Sequence, residues 1–317
     1  MGRRFLLLTM SLLFVLTCTL AEEGPGPSQP VDAATAAETT AKPQATEEPE
    51  ASFVELLLNV AREELGYTEG KNGYTKYGKW SGDAYAQWCA EFLCWSVDQT
   101  DKRYGTNLLK VQYPLYSGSN VGRDWFIAHG RYVDRRGTID DWGAQWFLGK
   151  QAPMLKDEYI PQPGDWMYFT WRNGRDTDHV AMVEYTDVND TGETVVHVIE
   201  GNNPSKVARA EYLLSDSKIL GYGTVTQVAG VTMRAGNKGE FVRELQTKLQ
   251  ELGLMSAEDI DGVFGAKTAI AVRTFQTDFI PGKTVSGIAD METQFAIQDE
   301  IEYRLDSDPN NWVVAGN

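Results

Sequence analysis

The chain has 317 residues, of which 42% are hydrophobic and 11% aromatic, so it can bury a substantial core and form about two domains. Its 29 basic residues are outnumbered by 45 acidic residues, which gives a formal net charge of −16. The chain therefore lacks the basic footprint of a nucleic-acid-binding protein, and we expect no nucleic-acid partner.

The first residues predict an export signal. The basic pair Arg3-Arg4 precedes an apolar run, 5–15, that is too short to span a bilayer comfortably. Small residues follow and suit cleavage after Ala21, which predicts a signal peptide over residues 1–21. The alternatives are a lipid anchor on Cys18 and an uncleaved membrane anchor. Without either, we expect the mature chain to have no membrane partner.

Residues 22–50 predict a disordered linker. They consist mainly of Pro, Ala, Thr and Glu, with almost no large apolar side chains. Such a segment cannot bury enough surface to offset the conformational entropy lost on ordering. We therefore place the start of the folded part at residue 51.

Residues 51–228 predict one α+β domain. Ser52 and Glu55 fit a capping box before an amphipathic helix, a second helix begins near Trp88, and another is expected over 121–129. Further along, “GDWMYFTW”, “DHVAMVEY” and “TVVHVIE” are three β-runs split by polar turns. Helices followed by a meander of strands indicate an antiparallel sheet in an α+β fold.

Residues 229–300 predict a small all-α domain of three helices. “VRELQTKLQELGL” and “AKTAIAVRTFQTDF” are amphipathic, “DIDGVFG” is a tight turn between them, and a third helix is expected from about Thr293. The join near 227–230 offers little to bury, so we expect the two domains to fold independently. Residues 301–317 are assigned as a C-terminal tail.

Cysteine and histidine are scarce, which narrows the search for a site. The chain contains only Cys18, Cys89, Cys94, His129, His179 and His197. They form no HExxH motif and no close ligand pairs of the kind that zinc sites use, so we expect no metal and no other cofactor. Five positions along a helix place two side chains about 140° apart, which opposes a disulfide between Cys89 and Cys94.

The pattern that remains is that of a cysteine nucleophile with a base. Cys89 lies at the start of its predicted helix, where backbone N–H groups favour a thiolate, whereas Cys94 lies further in and is expected to be core. A thiol needs a base to become a nucleophile at neutral pH. His179 follows a polar turn and opens the strand “HVAMVEY”, so it can face a cleft.

A carboxylate is also within reach of this base. Alternation along “VVHVIEGNN” puts Glu200 on the face opposite His197. If its strand pairs with that of His179, the Glu200 carboxylate can fix the tautomer of the imidazole. Asn202 lies on the same side if the strand persists. His129, at a helix end, is better interpreted as a capping residue.

Five stretches, in this order, carry a family resemblance: “NGYTKYGKW”, “WCAEFLCW”, “PGDWMYF”, “DHVAMVEY” and “IEGNN”. Over roughly residues 52–226 the chain resembles CHAP domains, compact papain-like amidohydrolases and peptidases of bacterial walls. The resemblance implies that Cys89 is the nucleophile, His179 the base and Glu200 the orienting acid, with Asn202 in the trailing polar position. Family members often carry Asn or Asp as the orienting residue, so Glu200 and Asn202 could exchange roles.

The C-terminal part carries a second resemblance, over about residues 231–296. “MRAGNKGEFVRELQTKLQELGL”, “DGVFGAKTAIAVRTFQ” and “GIADMET” resemble the peptidoglycan-binding-1 module. Most of the matching residues build the fold, so no glycan-contacting residue is assigned. The resemblance implies bacterial peptidoglycan as the partner.

Together the two resemblances imply a secreted, wall-associated peptidoglycan hydrolase that acts as a monomer through a thioester acyl-enzyme. It would be an N-acetylmuramoyl-L-alanine amidase or a peptide-bridge endopeptidase. The alternative is a non-catalytic wall-binding scaffold whose papain-like domain is inactive. For the oxyanion we expect the backbone N–H of Cys89 and the side chain of Gln87, and for the substrate groove Trp88, Tyr168 and Trp171.

Overall fold

The computed structural model describes residues 52–172 and 174–307. The predicted signal peptide, the predicted linker, Cys18 and residues 308–317 lie outside the described part. Within it, no helix combines the length and the apolarity needed to cross a membrane.

Helix α1 spans Phe53–Glu63, with Ser52 as its N-cap, as the sequence predicts. The Ser52 hydroxyl accepts the backbone N–H of Glu55 at 3.3 Å. The Glu55 carboxylate is paired instead with Arg62, whose Nη1 donates to it at 2.6 Å. Arg62 Nε also donates to the buried carboxylate of Glu184 at 2.7 Å, so one guanidinium ties the helix to the sheet.

Three further helices complete the N-terminal part: α2 (Lys76–Ser81), α3 (Cys89–Tyr104) and α4 (Ser119–Ala128). Helix α3 lies at the centre of the core, where Phe92 and Val97 are fully buried. It ends at Gly105, whose φ of 70° is the left-handed conformation that suits glycine at a helix C-terminus.

The main sheet has six antiparallel strands in the order β1-β8-β4-β5-β6-β7. The strands are β1 (Tyr132–Asp134), β4 (Trp166–Phe169), β5 (His179–Val188), β6 (Thr194–Glu200), β7 (Ala208–Leu213) and β8 (Ile219–Gly223). Alternation along β4 separates two cores. Trp166 and Tyr168 pack with the helices, while Met167 and Phe169 pack on the other face. The fold is therefore α+β, as predicted.

A second, smaller sheet joins the two sequence regions. It contains β2 (Thr138–Ile139), β3 (Gly143–Phe147) and β9 (Ala229–Val231), in the order β2-β3-β9. Strand β9 pairs antiparallel with β3, so that Trp146 lies opposite Gly230. Val231 is fully buried. The expectation that the join near 227–230 offers little to bury is therefore wrong, because these residues complete a sheet of the preceding domain.

Further contacts across the join involve the first helix of the C-terminal part. The rings of Trp142 and Phe241 lie 6.1 Å apart, and Phe241 also packs against Gly130. A Cβ at Gly130 would lie 3.2 Å from that ring. The described residues accordingly belong to one compact unit.

The C-terminal part consists of α5 (Glu240–Glu251), α6 (Ala266–Phe279) and α7 (Met291–Ser307). Buried glutamines of α5 and α6 hold the turns that follow each helix. Gln246 accepts the N–H of Gly262 at 2.7 Å, and Gln276 accepts the N–H of Gly287 at 2.9 Å. Helix α7 continues to residue 307, so residues 301–307 extend the third helix instead of beginning the predicted tail.

Candidate active site

Cys89 is the first residue of α3 and is 8% exposed. The first turn of a helix presents free backbone N–H groups and the positive end of the helix dipole, both of which stabilise a thiolate. The helix is held in place by the packing of its apolar face against α1 and the sheet. The sulfur is thus fixed at the end of a rigid element, close to the surface.

His179 is the first residue of β5 and is 4% exposed. It lies opposite Phe169 of β4, and its ring is tilted against that side chain at 5.6 Å. Burial by itself lowers the pKa of the imidazole. Hydrogen bonds and favourable charge interactions with Cys89 and Glu200 outweigh burial and raise the pKa of His179 to about 9.

Glu200 is the last residue of β6 and is 1% exposed. Its Oε2 lies 2.9 Å from Nε2 of His179. With Nε2 donating to the carboxylate, Nδ1 is the ring atom left to accept a proton from the Cys89 thiol. His179 thus contacts Glu200 directly and also interacts with Cys89.

Two residues that sequence reasoning missed hold the Glu200 carboxylate. Asn203 Nδ2 donates to Glu200 Oε1 at 2.8 Å, and the Tyr212 hydroxyl donates to Oε2 at 3.2 Å. Asn203 follows the strand in a turn, and Tyr212 comes from the edge strand β7, opposite Val196. “GNN” signals that turn, but only the strand register brings Tyr212 to the carboxylate.

Asn202 has a different role from Glu200. The strand ends at Glu200, and Asn202 adopts a positive φ of 62°, so the alternation on which its predicted position depended does not continue. Its side-chain amide donates to Oε1 of Gln87 at 2.9 Å. The residue that contacts the imidazole of His179 is thus Glu200. Asn202 instead holds the side chain of Gln87, two residues before Cys89.

The prediction that Trp88 and Tyr168 line the substrate groove is wrong, because both side chains are buried. Trp88 is 1% exposed, stacks on Tyr77 and donates from Nε1 to Glu69 at 3.2 Å. Tyr168 is fully buried, and its hydroxyl lies 3.2 Å from that of Tyr116. Both side chains belong to the core between the helices and the sheet. Alternation along β4 directs Tyr168 into this core, and Trp88 enters it from the N-terminus of α3.

The oxyanion candidate Gln87 and the third groove candidate, Trp171, remain accessible. Gln87 is exposed. Trp171 is 42% exposed, stacks on Phe169 and has its ring centroid 6.0 Å from that of His179. An exposed indole next to the imidazole is a surface on which a substrate can pack.

The second cysteine is core, as predicted. Cys94 is fully buried, and its thiol donates to the carbonyl of Pro114 at 3.3 Å. Burial raises the pKa of Cys94 to about 12, which keeps it a thiol. Cys89 and Cys94 are both free thiols.

The other two histidines lie apart from this cluster. The His129 ring donates from Nδ1 to the carbonyl of Trp125 at the end of α4. His197 points away from Glu200 and lies 3.0 Å from Asp187 and 3.4 Å from Glu211. Within the described ranges, His, Cys, Asp and Glu side chains form no group that could hold a metal ion.

Glu91, two residues after the nucleophile candidate, is fully buried in α3. Among the described residues, neither of its carboxylate oxygens has a hydrogen-bond partner. Burial, followed by the nearby charge of Asp83, raises the pKa of Glu91 to about 7. A neutral carboxyl group costs less to bury than a carboxylate, so this residue protonates readily near neutral pH.

Comparison with known families gives two matches. Residues 80–202 match the CHAP domain family, and residues 238–297 match the peptidoglycan binding domain family PG_binding_1. No curated protein matches the chain. Domains of these families make the chain a cell-wall hydrolase or a cell-wall-binding protein, extracellular or associated with the wall.

Solved structures give weaker likenesses. The SleB N-terminal domain is 36% identical, covers 22% of this chain and 92% of its own, and has a TM-score of 0.21. Ly7917 is 16% identical, with 59% and 69% covered and a TM-score of 0.27. A periplasmic domain of the EpsAB fusion protein of Vibrio vulnificus is 20% identical, with 43% and 57% covered and a TM-score of 0.19.

Proposed function

Because the chain carries a CHAP domain followed by a peptidoglycan-binding domain, we propose that it is an exported cysteine hydrolase that cuts an amide bond of the wall peptide. The observation that carries the proposal is the contact between His179 and Glu200 beside a thiol at a helix N-terminus. The C-terminal domain holds the enzyme on peptidoglycan. A scaffold that only binds the wall would have no use for this buried arrangement.

The reaction follows from the arrangement of these three side chains. Nδ1 of His179 takes the proton of the Cys89 thiol, and the Glu200 carboxylate stabilises the resulting imidazolium. The thiolate attacks the amide carbonyl, and the tetrahedral intermediate collapses to a thioester as the imidazolium protonates the departing amine. Water, deprotonated by His179, then attacks the thioester and releases the acid and the thiol.

The oxyanion needs hydrogen-bond donors near Cys89. The backbone N–H of Cys89, in the first turn of its helix, is one such donor. Gln87 is the second, because its carbonyl accepts from Asn202 and its NH₂ group is thereby left to donate. In this proposal Asn202 acts as a positioning residue for Gln87.

Digestion of purified sacculi tests the proposal. Wild-type protein and Cys94→Ala should release muropeptides, whereas Cys89→Ala should release none and keep the same melting temperature. Mass spectrometry of the products identifies the bond. A peptide beginning at L-alanine, with bare glycan, indicates an N-acetylmuramoyl-L-alanine amidase. A new amino terminus within the stem or bridge indicates an endopeptidase. Absence of products from folded wild-type protein would support the wall-binding scaffold instead.

A further inference from the structure

A concavity lies between the catalytic and the C-terminal parts of the chain, apart from the candidate active site. This interdomain cleft has a volume of about 1130 Å³, and neither Cys89 nor His179 lines it. Its walls come from four places: Arg123 of α4, Arg136 after β1, Arg175 of the loop before β5, and Lys238 of the C-terminal part. Pockets for small ligands are commonly about 300–1000 Å³, so this cleft has room for a short segment of polymer.

The charge of the interdomain cleft departs from that of the whole chain. Acidic residues outnumber basic ones overall, 45 to 29, but in the cleft the two signs are nearly balanced. The basic side chains are Arg123, Arg135, Arg136, Lys156, Arg175 and Lys238, and the acidic ones are Asp124, Asp134, Asp140, Asp141 and Asp176. A ligand that carries charges of both signs fits such a surface better than a neutral or purely anionic one.

One ion pair in the cleft is exposed enough for a charged ligand to replace one of its two partners. Arg175 Nη1 lies 2.7 Å from Asp140 Oδ1, with 71% and 36% of the two side chains exposed. An ion pair this exposed is weak, so a ligand charge can take the place of either partner at little cost. Lys156 is 65% exposed, and its nearest carboxylate is that of Asp157 at 3.9 Å.

The aromatic side chains in the cleft argue against a sugar as the ligand. Trp142 is 7% exposed and Tyr132 is 3% exposed, so neither offers a free ring face. Sugar rings are usually held by stacking on exposed aromatic faces as well as by hydrogen bonds. The exposed surface of the interdomain cleft is instead charged, and the zwitterionic component of the wall is its peptide.

We propose that the interdomain cleft binds the peptide part of peptidoglycan, through the free carboxylates and the free ammonium group of a stem peptide. This site adds to the groove beside Cys89 and rests on the proposed function. It would hold a stem peptide other than the one being cut, because the nucleophile does not line the cleft.

The cleft is also connected to the catalytic base. Arg123 Nη1 donates to the carbonyl of Arg175 at 2.5 Å, and Asn120 accepts the N–H of Thr177 at 2.7 Å. These bonds fix the loop that leads directly into His179. A peptide that binds Arg175 thus lies four residues from the base along the same loop.

Calorimetric titration with a synthetic stem tetrapeptide, in full-length protein carrying Cys89→Ala, tests the site. The double substitution Lys156→Gln and Lys238→Gln should weaken binding about tenfold or more, since each lost charge interaction is worth about a few-fold to tenfold in Kd. Arg175→Gln should also weaken it. All three side chains are exposed, so the fold should persist. Lys102→Gln, an exposed lysine near the end of α3, is the matched control and should leave Kd unchanged.

A peptide whose carboxylates are amidated gives the second arm. It should bind the Cys89→Ala protein more weakly than the free acid and should respond little to the lysine substitutions. The proposal would be overturned by equal Kd values for the control and the double variant. It would also be overturned if the double substitution weakened binding of soluble peptide-free glycan as much as it weakened binding of the stem peptide. The proposed function is judged separately, by sacculus digestion with the active enzyme, because Cys89→Ala protein reports binding alone.

Discussion

Replacing Glu200 by glutamine tests how the imidazole of His179 is held. The carboxylate accepts from His179 Nε2 at 2.9 Å, from Asn203 at 2.8 Å and from Tyr212 at 3.2 Å. Glutamine keeps the shape of the side chain but removes the charge and turns one accepting atom into a donor. The variant should therefore still fold. Its side chain should stabilise the imidazolium less than the carboxylate does.

The size of the effect follows from the pKa of His179, which lies at about 9 in spite of burial. A hydrogen bond to a charged group is worth about 1.5–3 kcal/mol, and one pKa unit corresponds to about 1.4 kcal/mol. Glu200→Gln should thus lower the pKa of His179 by about 1–2 units. The wild-type pKa is raised above the ordinary value of 6.5. The imidazolium therefore contributes its full stabilisation below about pH 6.5 and loses it as the pH rises through about 9.

The assay is turnover of wall peptide as a function of pH, with the alkylation rate of Cys89 by iodoacetamide measured in parallel. Wild-type activity should fall as the pH rises through about 9, and the Glu200→Gln activity should fall at a pH about 1–2 units lower. We expect kcat/KM to drop about 10- to 100-fold, less than in His179→Ala. Glu211→Gln, which removes a carboxylate beside His197, is the matched control. An unchanged pH profile in Glu200→Gln, or the same shift in the control, would refute the assigned role of Glu200.

Four other predictions concern single features of the molecule. Cys94→Ala should lower the free energy of unfolding by about 1 kcal/mol or more, because it leaves a cavity where the thiol is fully buried, yet it should keep most turnover. Folded but inactive Cys94→Ala would contradict this. His179→Ala should lose as much activity as Cys89→Ala because the groups act as a unit, while His129→Ala and His197→Ala stay active. Equal losses in all three histidine variants would undercut the assignment. Glu91→Gln should leave the free energy of unfolding nearly unchanged at pH 4.5 and raise it at pH 8. The pKa of Glu91 in the folded protein, about 7, exceeds its ordinary value of 4.5. The wild-type protein therefore loses stability between these two pH values, because the buried carboxyl group must ionise or stay protonated at a cost, and the glutamine variant does not. Denaturant unfolding that shows the same effect at both pH values would be inconsistent with that pKa. Truncation after Val228 should lower the melting temperature, because it removes strand β9 from β3 and the Phe241 ring from Trp142. A fragment that melts with the full-length protein would show that the join contributes little.

The sequence was sufficient for those parts of the site that depend on local pattern. Cys89 at a helix start, and His179 and Glu200 on strands, follow from periodicity and from the family resemblance. The partners of Glu200 do not, because the contact with Tyr212 depends on the register between β6 and β7. Local pattern also does not show which aromatic residues of “WCAEFLCW” and “GDWMYFTW” face the core.

The join between the two parts was missed for a related reason. Strand β9 has only three residues, Ala229–Val231. The residues of β3 with which it pairs lie about eighty positions earlier in the chain. A strand so short has no periodicity to recognise, and glycine at its centre lowers its propensity further. The burial of Ala229 and Val231 at the join is therefore information that only the pairing supplies.

The packing of Phe241 against Gly130 and Trp142 has a consequence for where the proposed enzyme can cut. A binding domain on a flexible tether lets its enzyme search every bond within reach, and the length of the tether sets only how often they meet. Here Phe241 of α5 and Cys89 of α3 belong to one buried cluster, which under the proposed function restricts the distance between the peptidoglycan-binding helices and the nucleophile. Under the proposed function, the enzyme would cut at a restricted distance from the point where its C-terminal domain binds peptidoglycan.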